Sequence, residues 1–173
     1  AREGKLRIVY TGRFYDGIRT PVAFLEALAL VNQRAPLRDR LEVQFIGSNM
    51  ESYARLAAKL GLADSVVFTG RVSPQQAHDR ARDADVLLVI DAPSPHGPSL
   101  FLPSKLIDYL PLRKPILGVT ALEGPSADLL RELGYPVVEP SDVAGMAQLL
   151  QELVGQTERW SRPSARHDAV SRR

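Results

Sequence analysis

The 173-residue sequence has no cysteine, which excludes disulfides, a thiolate nucleophile and cysteine metal sites but leaves the redox compartment open. No apolar run approaches the roughly 20 residues that span a bilayer, and no signal-like leader opens the chain. The expected location is therefore the cytoplasm, for this chain or for a longer protein from which it is cut. A bulk charge of one sign is also missing. Lys and Arg number 22 against 20 Asp and Glu, a balance that does not point to nucleic acid. The basic excess is local: RWSRPSARHDAVSRR, from Arg159 to the end, carries five arginines and one aspartate. The glycine-rich fingerprints of dinucleotide and ATP sites, the H-E-x-x-H zinc motif and the G-x-S-x-G hydrolase elbow are all absent. His78, His96 and His167 are scattered. Asp83 and Asp85 resemble a metal-binding Asp-x-Asp, but they lead straight into VLLVI and read as a helix end and a strand start. Lys114 and Pro115 resemble the lysine-proline pair of receiver domains, yet Thr11, Gly12 and Arg13 stand where a receiver needs acids.

What is present is a soluble-type composition, 45% hydrophobic and 24% charged, with strand and helix patterns in strict alternation. Leu6–Tyr10, Leu41–Ile46, Val66–Phe68, Val86–Ile90, Ile116–Val119 and Val137–Val138 read as strands. Pro21–Arg34, Ser52–Leu60, Pro74–Arg82, Pro103–Leu110, Ser126–Leu133 and Val143–Val154 read as helices, the first capped by Thr20 with Pro21 after it. Such alternation implies right-handed crossovers and a three-layer α/β/α, Rossmann-like, doubly wound parallel sheet of about six strands. VLLVI is apolar throughout and suits a central strand, whereas LEVQF alternates and suits a more peripheral one. The expected domain covers residues 1–155. Residues 156–173 are expected to form a basic tail, either detached and disordered or a truncated helix without its partner.

In such sheets ligands bind beyond the carboxyl ends of the strands. The loop after the first strand, TGRFYDGIRTP, sets Arg13 and Arg19 around glycines ahead of a helix, and two guanidiniums there suit a diphosphate, which they can grip through forked, charge-assisted bonds. LPSKLIDYL poses a further question. Pro103 opens a helix, so Lys105 in the first turn faces the positive end of the helix dipole unless an anion docks there. Ser104 and Asp108, four apart, share a face, an arrangement for a phosphate beside a sugar diol. A solvated lysine after a proline turn is the competing reading of these nine residues.

Taken together these segments resemble the C-terminal, nucleotide-sugar-binding domain of GT-B glycosyltransferases, in the retaining group called family four. The resemblance runs from about Leu6 to Val154. GRFYDGIR supplies Arg13 and, six residues later, Arg19, at the family's spacing. FTGRVS matches F-x-G-x-V, which implicates Arg71 and Val72 in contacts to the base. PSKLIDYLPLRKPIL is similar to the subgroup in which Pro-Ser-Lys-Leu opens the helix and an acid follows, so Asp108 stands where a glutamate usually holds the ribose. The family's first glutamate would fall eight residues earlier, at Leu100. That departure implies either that Ser99, His96 or backbone groups of the long loop take over the donor-sugar contacts beside Gly12, or that donor choice and even transfer activity differ from the family's norm.

The resemblance implies transfer of a sugar from a nucleotide diphosphate to an acceptor, with retention. It implies Arg13 and Arg19 as the catalytic cations, Ser104 and Lys105 as further phosphate ligands, and neither a metal nor a cofactor. It also implies an N-terminal acceptor-binding domain as partner, without which this chain is expected to bind donor but transfer little. The arginine-rich end with Trp160 offers a weaker expectation of contact with anionic lipid at the inner membrane face. Two alternatives accompany the main reading: a GT-B-like nucleotide-sugar epimerase, and a non-catalytic nucleotide- or sugar-binding module.

Overall fold

Val86–Ile90 forms strand β4 and is buried at every position, as a strand covered on both faces must be. The structure is a computed structural model that describes residues 4–92, 102 and 104–171. The remaining strands are β1 (Leu6–Thr11), β2 (Leu41–Ile46), β3 (Val66–Phe68), β5 (Ile116–Val119) and β6 (Val137–Val138). They alternate with α1 (Val22–Arg34), α2 (Glu51–Lys59), α3 (Pro74–Arg82), α4 (Ser104–Tyr109), α5 (Pro125–Glu132) and α6 (Val143–Gly155). A 3-10 turn, Leu110–Leu112, extends α4, and α7 (Thr157–Trp160) and α8 (Ala165–Ser171) end the chain. All strand pairs are parallel, in the order β3-β2-β1-β4-β5-β6. This is the doubly wound arrangement that the alternation implied.

The period of two divides each strand between two cores. β1 sends Ile8 and Tyr10 into one core, with Leu28 of α1, Phe45 of β2 and Leu150 of α6, and sends Val9 into the other, with Leu106 of α4 and Leu130 of α5. Gly118 of β5 lets α5 approach closely, since a methyl group there would lie 2.3 Å from a Leu130 methyl. Among the described residues no helix is long and apolar enough to cross a membrane.

β2 lies second from one edge of the sheet, more peripheral than β4, as its alternation implied, yet it is buried at five of six positions. Its polar groups are internally paired, with Glu42 accepting from Arg7 Nε at 2.8 Å and Gln44 accepting from Arg80 Nη1 at 3.4 Å. Two expectations need correction. The N-cap of α1 is Pro21, not Thr20, whose hydroxyl instead accepts the Val22 N–H from one residue further out at 3.4 Å. The segment after Gly155 is not detached over its described residues. Trp160 and His167 are buried, and the His167 ring joins Tyr135 Oη at 2.6 Å through Nδ1 and the Leu110 carbonyl at 3.0 Å through Nε2. A carbonyl can only accept, so Nε2 carries the proton. Arg113 and Asp168 form an ion pair beside it. Periodicity could not reveal this segment because its helices are short and single side chains anchor it.

Candidate functional site

The neighbours of β1 continue in opposite directions through the sheet, so the crevice beyond the carboxyl ends of β1 and β4 is where this topology places ligands. Backbone comes close here. The Gly12 N–H donates to the Ile46 carbonyl at 2.9 Å, and a methyl group on Gly47 would lie 2.0 Å from the Gly12 oxygen. Gly12 has φ +131, a conformation open to glycine and strained for other residues.

From Gly12 the chain makes a narrow hairpin in which Tyr15 and Arg19 exchange backbone hydrogen bonds, each 2.8 Å. Phe14 fastens the hairpin to the core by stacking on Tyr10, centroids 4.5 Å apart, and Tyr53 of α2 donates a hydrogen bond to Asp16. Arg13 is exposed. Arg19 reaches back so that Nη2 donates to the Arg13 carbonyl at 3.2 Å, while its Nε is buried without a partner.

α4 meets this loop from the other side of the crevice. Leu106 and Tyr109 are buried in the second core, and the Tyr109 hydroxyl lies 3.1 Å from both the amide nitrogen and the hydroxyl of Thr11. These contacts hold Lys105 over β1. Its ammonium lies 3.6 Å from the centroid of the Tyr10 ring, a cation–π distance, and beneath Gly12, where a methyl group would come within 2.4 Å of Nζ. Burial first, and the nearby Arg19 charge second, bring the Lys105 ammonium down to about 7, against an opposing pull from Asp91. α4 is only six residues long, so the positive field here comes mainly from side chains rather than from a helix dipole.

Asp91, the residue after β4, faces these cations. Burial raises its carboxyl above the ordinary range, while the hydroxyls of Thr120 and Ser126 and the charges of Arg19 and Lys105 pull it back. The Ser126 hydroxyl reaches full hydrogen-bond geometry with no neighbour, so its effect on Asp91 is one of proximity. Burial also raises the Tyr10 hydroxyl and pushes that of Tyr109 up to about 12. Among the described residues no carboxylate forms an ion pair with Lys105 or Arg19. Two basic groups gathered in a crevice, with Asp91 near but paired to neither, suit an anionic ligand.

Of the residues singled out in the sequence, Gly12, Arg19 and Lys105 come together, with Arg13 in the same hairpin. Ser104 and Asp108 are exposed on α4. Arg71 and Val72 follow β3 after Gly70, at the same edge of the sheet but two strands away from β1; Arg71 is exposed and Val72 packs on the second core. His96, Ser99 and Leu100 lie outside the described residues, as does Pro103. Asp83 ends α3, and Asp85 accepts the Arg7 N–H at 2.8 Å at the start of β4. Tyr10, Asp91, Tyr109 and Thr120 were missed. Asp91 and Thr120 did carry a signal, since each is the first residue beyond the carboxyl end of a strand. A cavity of about 630 Å³ between Tyr135, Pro136 and Trp160 lies at the opposite edge, by the amino ends of β5 and β6.

A family model described as glycosyl transferases group 1 matches residues 5–156. No curated protein sequence matches the chain. Among solved structures, it is similar to WaaG, a glycosyltransferase involved in lipopolysaccharide biosynthesis, with TM-score 0.69, 19% identity and coverage of 92% of this chain and 41% of that one. It is similar to an S. aureus TarM variant in complex with Fondaparinux, alpha-GlcNAc-glycerol and UDP, with TM-score 0.68, 13% identity and coverage of 92% and 30%. It is also similar to the C-terminal domain of a glycosyl transferase group 1 family protein, LpcC, from Francisella tularensis, with TM-score 0.67, 16% identity and coverage of 98% and 86%. The chain thus spans about two fifths of WaaG and most of the isolated Francisella domain. At these identities the likeness is one of fold.

Proposed function

We propose that this chain, which belongs to the glycosyl transferases group 1 family, is the donor-binding half of a two-domain enzyme that moves a sugar from a nucleotide diphosphate to an acceptor. The observation that carries this reading is the nearness of Lys105, seated on Tyr10, to the Arg19 charge in the β1–β4 crevice, with no carboxylate of the described residues paired to either. A departing nucleoside diphosphate gathers negative charge as the sugar leaves, and fixed cations aimed at that charge commonly supply the largest part of the rate enhancement.

Arg13, Arg19 and Lys105 take that role in the proposed mechanism, with Ser104 beside them, and neither a metal nor a cofactor takes part. Gly12 leaves room for the phosphates, Asp108 accepts from the ribose hydroxyls, and Arg71 and Val72 flank the base. Retention at the anomeric carbon and a separate N-terminal acceptor-binding domain belong to the same proposal. The near-full coverage of an isolated C-terminal domain supports the half-enzyme reading, and the UDP in the TarM complex supports a nucleotide donor. Leu100, a leucine where the family pattern has an acid, favours a second reading, a non-catalytic nucleotide- or sugar-binding module.

Thermal shift with UDP-, GDP- and ADP-sugars, the matching nucleoside diphosphates and the free sugars separates the two, because a ligand that binds only the folded state raises its melting temperature. Stabilisation that requires the diphosphate is the expected result. Stabilisation by free sugars alone supports the module, and a response to none of them overturns the donor-binding reading.

A further inference from the structure

Tyr10 is the last buried residue of β1, a strand paired on both sides by β2 and β4. Phenylalanine would fill that place in the core as well, so its hydroxyl calls for an account. The ring is held between two elements. Phe14 of the hairpin stacks on it, with centroids 4.5 Å apart and an interplanar angle of 11°, and the Lys105 ammonium of α4 lies 3.6 Å from its centroid. Two groups so close to one ring centre cannot share a face, so the hairpin and α4 meet Tyr10 from opposite sides. At the edge of the ring the Tyr10 hydroxyl donates to the Arg13 carbonyl at 3.1 Å. The same carbonyl accepts from Arg19 Nη2 at 3.2 Å, which occupies both of its lone pairs. Burial raises the Tyr10 hydroxyl above its ordinary range, so it stays a donor.

We propose that Tyr10 is a positioning residue that sets the two phosphate-binding cations relative to each other: its ring seats Lys105, and its hydroxyl, through the Arg13 carbonyl, aims the Arg19 guanidinium. This rests on the reading above that the crevice takes a nucleoside diphosphate. Lysine and arginine side chains lose much rotamer freedom when they grip a ligand, and a partner that holds them beforehand removes that cost from binding. Tyr10 suits this task because its backbone is fixed in the sheet and its two contacts use different atoms. The ring face serves one cation and the hydroxyl serves the other, so deleting the hydroxyl separates them.

Tyr10→Phe keeps the ring and removes only that oxygen. Titration calorimetry of the whole chain with UDP, GDP and ADP should show affinity weaker by about 2- to 10-fold, the worth of one hydrogen bond. A loosened core would lower affinity as well, so the two cations are read separately by NMR. The Arg19 Nε resonance should move on substitution, while the Lys105 ε-carbon resonance stays in place. Unchanged affinity, an Arg19 resonance that does not move, or a Lys105 shift as large as that of Arg19 overturns the inference and leaves the donor reading intact. If Tyr10→Phe does not fold, the wild-type chain decides: the Tyr10 hydroxyl proton should exchange slowly with water and show a nuclear Overhauser contact to the Arg19 guanidinium protons, and the failure of either overturns the inference. Failure of all three nucleotides to bind the wild-type chain removes the donor reading, and this inference with it.

Discussion

The Lys105 ammonium rests on the face of the Tyr10 ring, 3.6 Å from its centroid, joining the last buried aromatic of β1 to the first turn of α4. Stability should therefore depend on pH through this one side chain. Its folded value, about 7, lies below the unfolded value of 10.5, so between those values the unfolded chain binds more protons and stability rises with pH. The contribution is complete above the unfolded value and is lost as pH falls towards 7. Urea midpoints should rise from pH 7 to 9, at most by about 1.4 kcal/mol per pH unit from this group, and Lys105→Met should flatten the rise. Equal slopes in both proteins would remove the basis for a buried, depressed lysine.

Gly12→Ala tests the packing above that lysine. The new methyl group would meet Nζ at 2.4 Å on a backbone with φ +131, and the strain of such a conformation costs on the order of 1–3 kcal/mol. A fall in melting temperature of several degrees is expected, together with weaker binding of nucleoside diphosphates as Lys105 leaves the ring. An unchanged melting temperature and unchanged affinity contradict the arrangement.

Arg19→Ala removes the guanidinium that the hairpin aims at the crevice. In the complete two-domain enzyme the expected loss in kcat is on the order of 100-fold, comparable to loss of an oxyanion-hole donor. Steady-state kinetics provide the check, and undiminished turnover denies Arg19 its role.

His167→Ala addresses the end of the chain. The substitution deletes two hydrogen bonds, to Tyr135 and Leu110, whose polar groups each keep one other partner, at a cost of about 1–3 kcal/mol for the two bonds together. A melting temperature lower by roughly 2–10 °C follows for a chain of this size. No change would mean that α8 does not hold the Leu110 end of α4.

The strands and helices were legible because a doubly wound sheet repeats one local pattern, and continuous burial of VLLVI and the 3.6-residue period of α1 arise from that local geometry. Part of the crevice was legible as well, since Arg19 and Lys105 are basic residues on a loop and at a helix start. Tyr10 was not, because a tyrosine inside LRIVY reads as core, and its partnership with Lys105 spans most of the chain. Asp91 reads as a strand-ending acid until Thr120 and Ser126 are brought beside it by β5 and α5. His167 looks like one more solvated residue in an arginine-rich stretch, because the two groups that satisfy its ring lie far away in sequence.

The central claim is that the β1–β4 crevice holds a nucleoside diphosphate between Gly12, Arg19 and Lys105. Amide resonances followed during a titration with UDP, GDP and ADP test it most directly. The account predicts that, with at least one of them, the resonances of Gly12, Arg13, Arg19, Ser104 and Lys105 move first and farthest. Saturable shifts confined instead to the cavity around Tyr135 and Trp160, or no saturable shift with any of the three, would contradict it.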